Sequence, residues 1–192
     1  MLKARTIFRQ FLKSPNKVGA VAPSSRYLAN GMLDELSWDT LTNVVEYGPG
    51  TGAISRHLLK RIEPHQRLFA VELNDQFIPV LQQKLPELEV FNESVSDIRA
   101  ICDREQVDFV DAIVSGLPWT AFPEPLQEEL MNATLSVLAD RGQFVTFAYV
   151  HGLPLQNAKR FRKRLKDTFS EVSISPVVWR NVPPAIFYSC RK

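Results

Sequence analysis

The sequence predicts an α/β domain: an open, mostly parallel sheet with helices on both faces, preceded by a helical extension. Three observations predict it. From residue 43 onward, short apolar runs alternate with stretches of helical character. One run, VDFVDAIVSG (107–116), is apolar almost throughout, as a central parallel strand buried on both faces should be. And in VVEYGPGTGAISRHLL (44–59) a β-branched run with an acid near its end is followed by glycines at alternate positions, which clears backbone for a close approach.

The elements follow in order. TNVVEY (42–47) is a strand and about 52–62 a helix. RLFAVEL (67–73) is a strand, followed by a helix from Asp75 to Leu85 that Pro86 stops. LEVFN (88–92) is a short strand and 96–104 a helix. After the central run, Pro125 to Leu138 reads as a helix with proline at its start, and GQFVTFAYV (142–150) as a strand. Pro154 to Asp167 is a helix whose stripe of Leu155, Ala158, Phe161, Leu165 and Phe169 faces the sheet. EVSISPVVW (171–179) and AIFYSC (185–190) close the sheet, joined through Asn181-Val182-Pro183-Pro184. Ligands of such sheets sit at the carboxyl ends of the strands, near the switch in strand order. The division expected is 1–40 for N-terminal helices and 41–192 for the α/β domain.

Composition excludes several classes. At 192 residues and 45% hydrophobic the chain is one ordinary domain with a real core. Two cysteines, Cys102 and Cys190, and three scattered histidines, His57, His65 and His151, have no metal-ligand spacing, so no metal is expected and a reducing cytoplasm is the simplest compartment. No apolar run approaches the roughly 18 residues of a membrane span, and the N-terminus has no long apolar core of a signal peptide.

The net charge of +2 hides an asymmetry. Residues 1–33 carry Lys3, Arg5, Arg9, Lys13, Lys17 and Arg26 without an acid, which leaves −4 for the rest. Ala4, Ile7, Phe8, Phe11 and Leu12 share one helical face and Lys3, Arg5, Arg9 and Lys13 the opposite one, a basic amphipathic helix over 3–13. A second basic cluster runs through Lys159, Arg160, Arg162, Lys163, Arg164 and Lys166. Both fit an anionic surface, membrane or nucleic acid, or simply solvated helix faces.

Glu46-x-Gly48-x-Gly50-x-Gly52 is not the dinucleotide fingerprint, because its third glycine comes one residue early, and it lacks the Lys and Ser/Thr of a P-loop. It resembles the first motif of class I S-adenosylmethionine-dependent methyltransferases. The resemblance implies their Rossmann-like fold, with seven strands and the last antiparallel. It also implies a glycine turn under the methionine part of S-adenosyl-L-methionine, oriented by Glu46. Glu72, 20 residues after Gly52, would take the ribose hydroxyls, and Leu73 would pack on the adenine. Ser94 and Val95 match the family's adenine contact, where this chain has Glu93-Ser94-Val95 in place of Gly-Asp-Ala; Asp97 is the alternative acceptor for the adenine amino group, or equally a helix-terminal acid.

SGLPW (115–119) follows the central strand where nucleic-acid amino-methyltransferases carry Asn-Leu-Pro-Tyr or Asp-Pro-Pro-Tyr. Ser-Gly-Leu-Pro instead resembles the bacterial phospholipid N-methyltransferases. So do SPNKVGAVAPSSRYLA (14–29), FVTFAY (144–149) and VVWRNVPPAIFY (177–188), which together extend the likeness over nearly the whole chain. It implies methylation of the phosphatidylethanolamine amine and its methylated forms towards phosphatidylcholine, with S-adenosyl-L-homocysteine as co-product. Ser115, Gly116 and Tyr149 would surround the amine; Arg26, Trp119, Arg180 and Asn181 would bind the rest of the headgroup.

Bland alternatives stand beside these. Tyr149 is equally a packing residue, Arg180 equally a loop brace, and His151 a surface residue. The rival reading is an rRNA or tRNA adenine or other amine methyltransferase, akin to the more distant rRNA adenine dimethyltransferases; a membrane-binding module without catalysis is a third. The lipid reading implies a cytoplasmic enzyme, monomeric and without a nucleic-acid partner. It would associate peripherally with the inner face of the membrane, its helix 3–13 on anionic lipids.

Overall fold

A computed structural model describes residues 23–192. The expected amphipathic helix over 3–13 lies outside the described residues. Seven strands form one sheet in the order β3-β2-β1-β4-β5-β7-β6. They are β1 (Asn43–Tyr47), β2 (Arg67–Val71), β3 (Glu89–Phe91), β4 (Val110–Ser115), β5 (Leu138–Tyr149), β6 (Glu171–Ile174) and β7 (Ala185–Arg191). β7 inserts between β5 and β6 and runs antiparallel to both, while the other neighbours pair in parallel. The strand order reverses between β1 and β4, so the crevice at their carboxyl ends is where such a sheet takes a ligand.

Alternating side chains divide the core between the two faces. On one face Val45, Tyr47, Phe69, Ile113 and Phe144 meet α4 (Ile98–Arg104), α5 (Glu124–Val137) and α6 (Gln156–Thr168). On the other, Val44, Ala112, Val114 and Val145 meet α1 (Arg26–Asp34) and the short α2 (Ser55–Leu58), and Ala70 meets α3 (Ile78–Lys84). Each large apolar side chain fully buried this way contributes about 1.5–3 kcal/mol. α1 is therefore part of the fold rather than a loose appendage. Ser25 caps it by accepting the Leu28 N–H at 3.3 Å, and Leu28, Ala29, Met32 and Leu33 are wholly buried. Gly31 lets the helix approach β7 closely, since a Cβ there would stand 2.9 Å from the Phe187 ring.

Four expectations are corrected. The helix expected over 52–62 is only Ser55–Leu58, because Gly52 turns at φ +83° and the bonds around it close three residues apart, as from His57 N to Ile54 O. β5 begins at Leu138 rather than 142, with a register shift where Val110 and Ala112 face Leu138 and Gln143. The stretch 171–179 is not one strand: it stops at Ile174 before Pro176, which has no N–H to give, and only Val178 rejoins by a bridge to Ala185. Leu155 leaves the α6 stripe because it precedes the helix in extended backbone; it is 62% exposed, whereas Ala158, Phe161 and Leu165 are buried.

Candidate active site

The carboxyl end of β1 delivers Glu46 and then a turn in which Gly48, Gly50 and Gly52 all have positive φ. Gly50, at φ +55°, has nothing within 4 Å of a Cβ built on it, so the backbone there faces open space. The turn packs against the end of β4. A Cβ on Gly116 would lie 2.7 Å from the Gly48 carbonyl, and the Gly116 N–H donates to the Tyr47 carbonyl at 2.7 Å. Side chains larger than hydrogen at position 116 would push the two strand ends apart.

Two carboxylates sit under this turn. Glu72, just beyond β2, accepts the Gly50 N–H at 3.0 Å on Oε2 and the Asn74 N–H at 2.7 Å on Oε1. It is 4% exposed, and burial raises its pKa while the N–H groups of Asn74, Gly50 and Leu73 oppose the rise. Glu46 is wholly buried, and no hydrogen bond of good geometry reaches either of its carboxylate oxygens among the described residues. Its pKa is pushed up to about 8, first by burial and further by the Glu72 charge; Ser55, its polar neighbour on α2, opposes this. A buried carboxylate with no donor is costly and is satisfied by a cation or donor brought from outside. The donor set thus fits the positively charged methionine end of S-adenosylmethionine, and the open face of Gly50 leaves it room.

β3 supports the same crevice. Asn92 donates to the Glu72 carbonyl at 2.8 Å, which ties the ends of β2 and β3 together. Ser94 is buried and its Oγ accepts from the Ser96 N–H and hydroxyl, capping the turn Val95–Asp97. Leu73 packs partly buried on the core and Val95 is buried in it. The structure thus brings Glu46, Gly48, Gly50, Gly52, Glu72, Leu73, Ser94, Val95, Ser115 and Gly116 to one end of four neighbouring strands.

Ser115 and Trp119 belong to the support of the site. Ser115 is wholly buried; its Oγ accepts the Trp119 Nε1–H at 2.8 Å and its carbonyl accepts the Thr146 hydroxyl at 3.1 Å. Trp119, expected against the headgroup, is wholly buried in the core instead. Its ring stacks on Phe161 at 5.4 Å and 15° and meets Phe144 edge-on at 5.7 Å, so α6 and β5 turn it away from the crevice.

The remaining residues gather at the carboxyl end of β5. Tyr149 pairs with Ala185 at the start of β7 and lies on the sheet face of Val145, hence of Glu46. It is half-buried, stacks on His151 and touches Phe147, and burial pushes its pKa up to about 12, so its hydroxyl stays neutral. Asn181 is wholly buried and joins the two ends of this region: its Oδ1 accepts the Ser25 N–H at 2.8 Å and its Nδ2 donates to the Pro183 carbonyl at 2.6 Å. That brace sets Arg26 and Arg180 around Tyr27, their guanidinium carbons 4.9 and 4.8 Å from its ring centre. The Arg26 Nη2 donates to the Tyr27 hydroxyl at 2.9 Å, and this bond, followed by Arg180, lowers the Tyr27 pKa. Sequence reading missed Tyr27, Ser55 and Thr146; only the position of Tyr27 next to Arg26 was a signal.

No protein-family profile matches the chain. It is 16% identical to the O-methyltransferase TomG of Streptomyces achromogenes, solved with S-adenosylmethionine; the match covers 99% of this chain and 90% of that one at a TM-score of 0.66. The likeness shows a class I methyltransferase fold. A ribosomal RNA small subunit methyltransferase A of Clostridium botulinum is 33% identical over 78 residues, which is 40% of this chain and 27% of that protein. The ornithine lipid N-methyltransferase of Singulisphaera acidiphila is 31% identical over 185 residues, covering 95% of this chain and 92% of the relative. With that identity sustained from end to end, on a methyltransferase fold with its glycine turn intact, the chain belongs to the family of this lipid N-methyltransferase.

Proposed function

We propose that the protein methylates the amine of a membrane lipid with S-adenosylmethionine as donor, and that phosphatidylethanolamine and its methylated forms are the acceptors. The observation that carries the donor half is Glu46, a buried carboxylate that no well-formed hydrogen bond reaches among the described residues, beside an open glycine turn. Bound there, S-adenosylmethionine supplies an activated methyl group that an amine lone pair displaces in line, leaving S-adenosylhomocysteine. Glu46 then holds the cationic end of the donor, Glu72 keeps lone pairs for ribose hydroxyls, and Ser94, Val95 and Leu73 bound the adenine.

On the acceptor side, the Gly116 backbone and Tyr149 face the amine, whose ammonium form loses a proton to water before its lone pair forms the N–C bond and the S–C bond of the sulfonium breaks. Ser115 acts as a positioning residue, since Trp119 and Thr146 occupy its polar atoms. Arg26 and Arg180, set by Asn181, supply cations for the anion that accompanies the amine. The amphipathic segment 3–13 is proposed to hold the enzyme on anionic lipid.

A second reading is favoured by the relative that matches nearly the whole chain: an ornithine lipid as acceptor. Both headgroups pair an amine with an anion, a phosphate diester in one and a carboxylate in the other. The test is transfer of labelled methyl from S-adenosylmethionine to vesicles of phosphatidylethanolamine, vesicles of ornithine lipid, and rRNA. Label in phosphatidylethanolamine supports the first reading, label in ornithine lipid alone the second, and label in rRNA alone overturns both.

A further inference from the structure

We infer that the turn Trp179–Val182 is a docking wedge that seats the carboxyl edge of the sheet on an anionic lipid bilayer. The inference rests on the lipid reading above for its occupant. The large apolar side chains left exposed among the described residues are Tyr27, Phe109, Leu155, Trp179 and Val182. All but Phe109 lie at the carboxyl edge. Trp179 and Val182 lead into β7, whose first residue pairs with Tyr149; Leu155 follows the end of β5; and Tyr27 is held there through Ser25 and Asn181. Trp179 is 73% and Val182 72% exposed, which is a cost in water that burial in a lipid interface removes.

Charge selects the same partner. Residues 23–33, 47–55, 115–123, 149–156 and 175–186, which build this half of the edge, contain no Asp or Glu and contain Arg26 and Arg180. Of the acids near the carboxyl edge, Glu72, Asp75, Glu93 and Asp97 follow β2 and β3 on the other half, and Glu124, at the start of α5 beyond β4, is ion-paired with Arg160 at 3.6 Å. An anionic surface can therefore approach the β5–β7 half without repulsion and meet two arginines beside the exposed tryptophan.

The test uses the full chain with vesicles of phosphatidylglycerol and phosphatidylcholine carrying brominated acyl chains. Trp119 is wholly buried and Trp38 is bonded through Nε1 to the Leu33 carbonyl, so Trp179 reports contact with lipid. Tryptophan emission is expected to shift blue and to be quenched on vesicles, and Trp179→Phe to lose the quenching. Trp179→Ser with Val182→Ser is expected to bind vesicles about tenfold more weakly and to bind S-adenosylmethionine as the parent does. It should also lose turnover on vesicles while keeping it on a short-chain aminophospholipid dispersed below its micelle threshold.

Equal vesicle binding by the double variant overturns the inference. So does parent emission that is already blue without lipid, whether light scattering then shows a dimer or removal of residues 1–22 shifts the emission red. If no lipid amine is methylated in any form while quenching persists, the lipid-methylation reading fails and the wedge stands. If vesicle turnover survives in the double variant without quenching, the wedge fails and that reading stands.

Discussion

Glu72 accepts the Gly50 N–H at 3.0 Å, so the acid after the second strand locks the glycine turn after the first. The same carboxylate is the proposed ribose acceptor. Glu72→Gln keeps the shape and removes the charge; it is expected to weaken S-adenosylmethionine binding by about 1–3 kcal/mol, roughly fivefold to 150-fold. Gly50→Val is expected to abolish measurable binding, because φ +55° disfavours a β-branched residue and its atoms would enter the open space at the turn. Calorimetric titration checks both, and parent-like affinity in either variant contradicts the assigned cofactor position.

Glu46 predicts a pH dependence. Its folded pKa of about 8 stands above the ordinary carboxylate value, so the native state binds a proton that the unfolded state has lost. Its contribution to stability is therefore full below about pH 4.5 and is lost as pH rises through about 8. Glu46→Gln should remove this decline and be more stable than the parent at pH 9, by about 1–3 kcal/mol in chemical unfolding. Binding of a cationic donor favours the carboxylate, so at pH 7 it should release a proton, seen as a calorimetric enthalpy that varies with buffer ionisation heat. Glu46→Gln should lose that variation.

Gly116 is the closest approach between the β4 loop and the glycine turn. Gly116→Ala places a Cβ where the Gly48 carbonyl stands 2.7 Å away, and backbone has to move. The expected cost is about 1–3 kcal/mol of stability together with weaker cofactor binding. Thermal unfolding with and without S-adenosylmethionine measures both; an unchanged midpoint contradicts the tight packing of the two strand ends.

The donor half of the site was legible in the sequence because it is built from local demands on backbone. Glycines at φ +65°, +55° and +83° follow an acid on a strand, and each requirement leaves its mark within a few residues. The alternation of strands and helices was legible for the same reason. Trp119 was not, because its ring direction is decided by Phe161 and Phe144, which other elements bring to it. Tyr27 between two arginines was hidden too, since Arg180 arrives from the far end of the chain. Leu155 fitted a helical stripe that the helix does not reach, a boundary error of one residue in position and of a whole face in exposure.

The arginines around Tyr27 give the last prediction. Arg26 and Arg180 are exposed, so each alone is screened by solvent and salt and contributes modestly to binding. Held together by the Asn181 brace, they present two guanidinium groups to one anion, an arrangement suited to a phosphate diester or a carboxylate. Arg26→Gln with Arg180→Gln is expected to raise KM for the lipid about tenfold and to leave kcat within about twofold, because the anion is bound alike before and during transfer. Cofactor affinity should not change, since Glu46 and Glu72 stand at the ends of β1 and β2 and the arginines on α1 and the turn before β7. Raising salt should raise the parent's KM more than the variant's. Asn181→Ala should reproduce part of the effect without removing a charge, by freeing the Ser25 N–H and the loop. Kinetics on vesicles of fixed composition separate the outcomes: a fall in kcat with KM unchanged would place the arginines away from the headgroup anion.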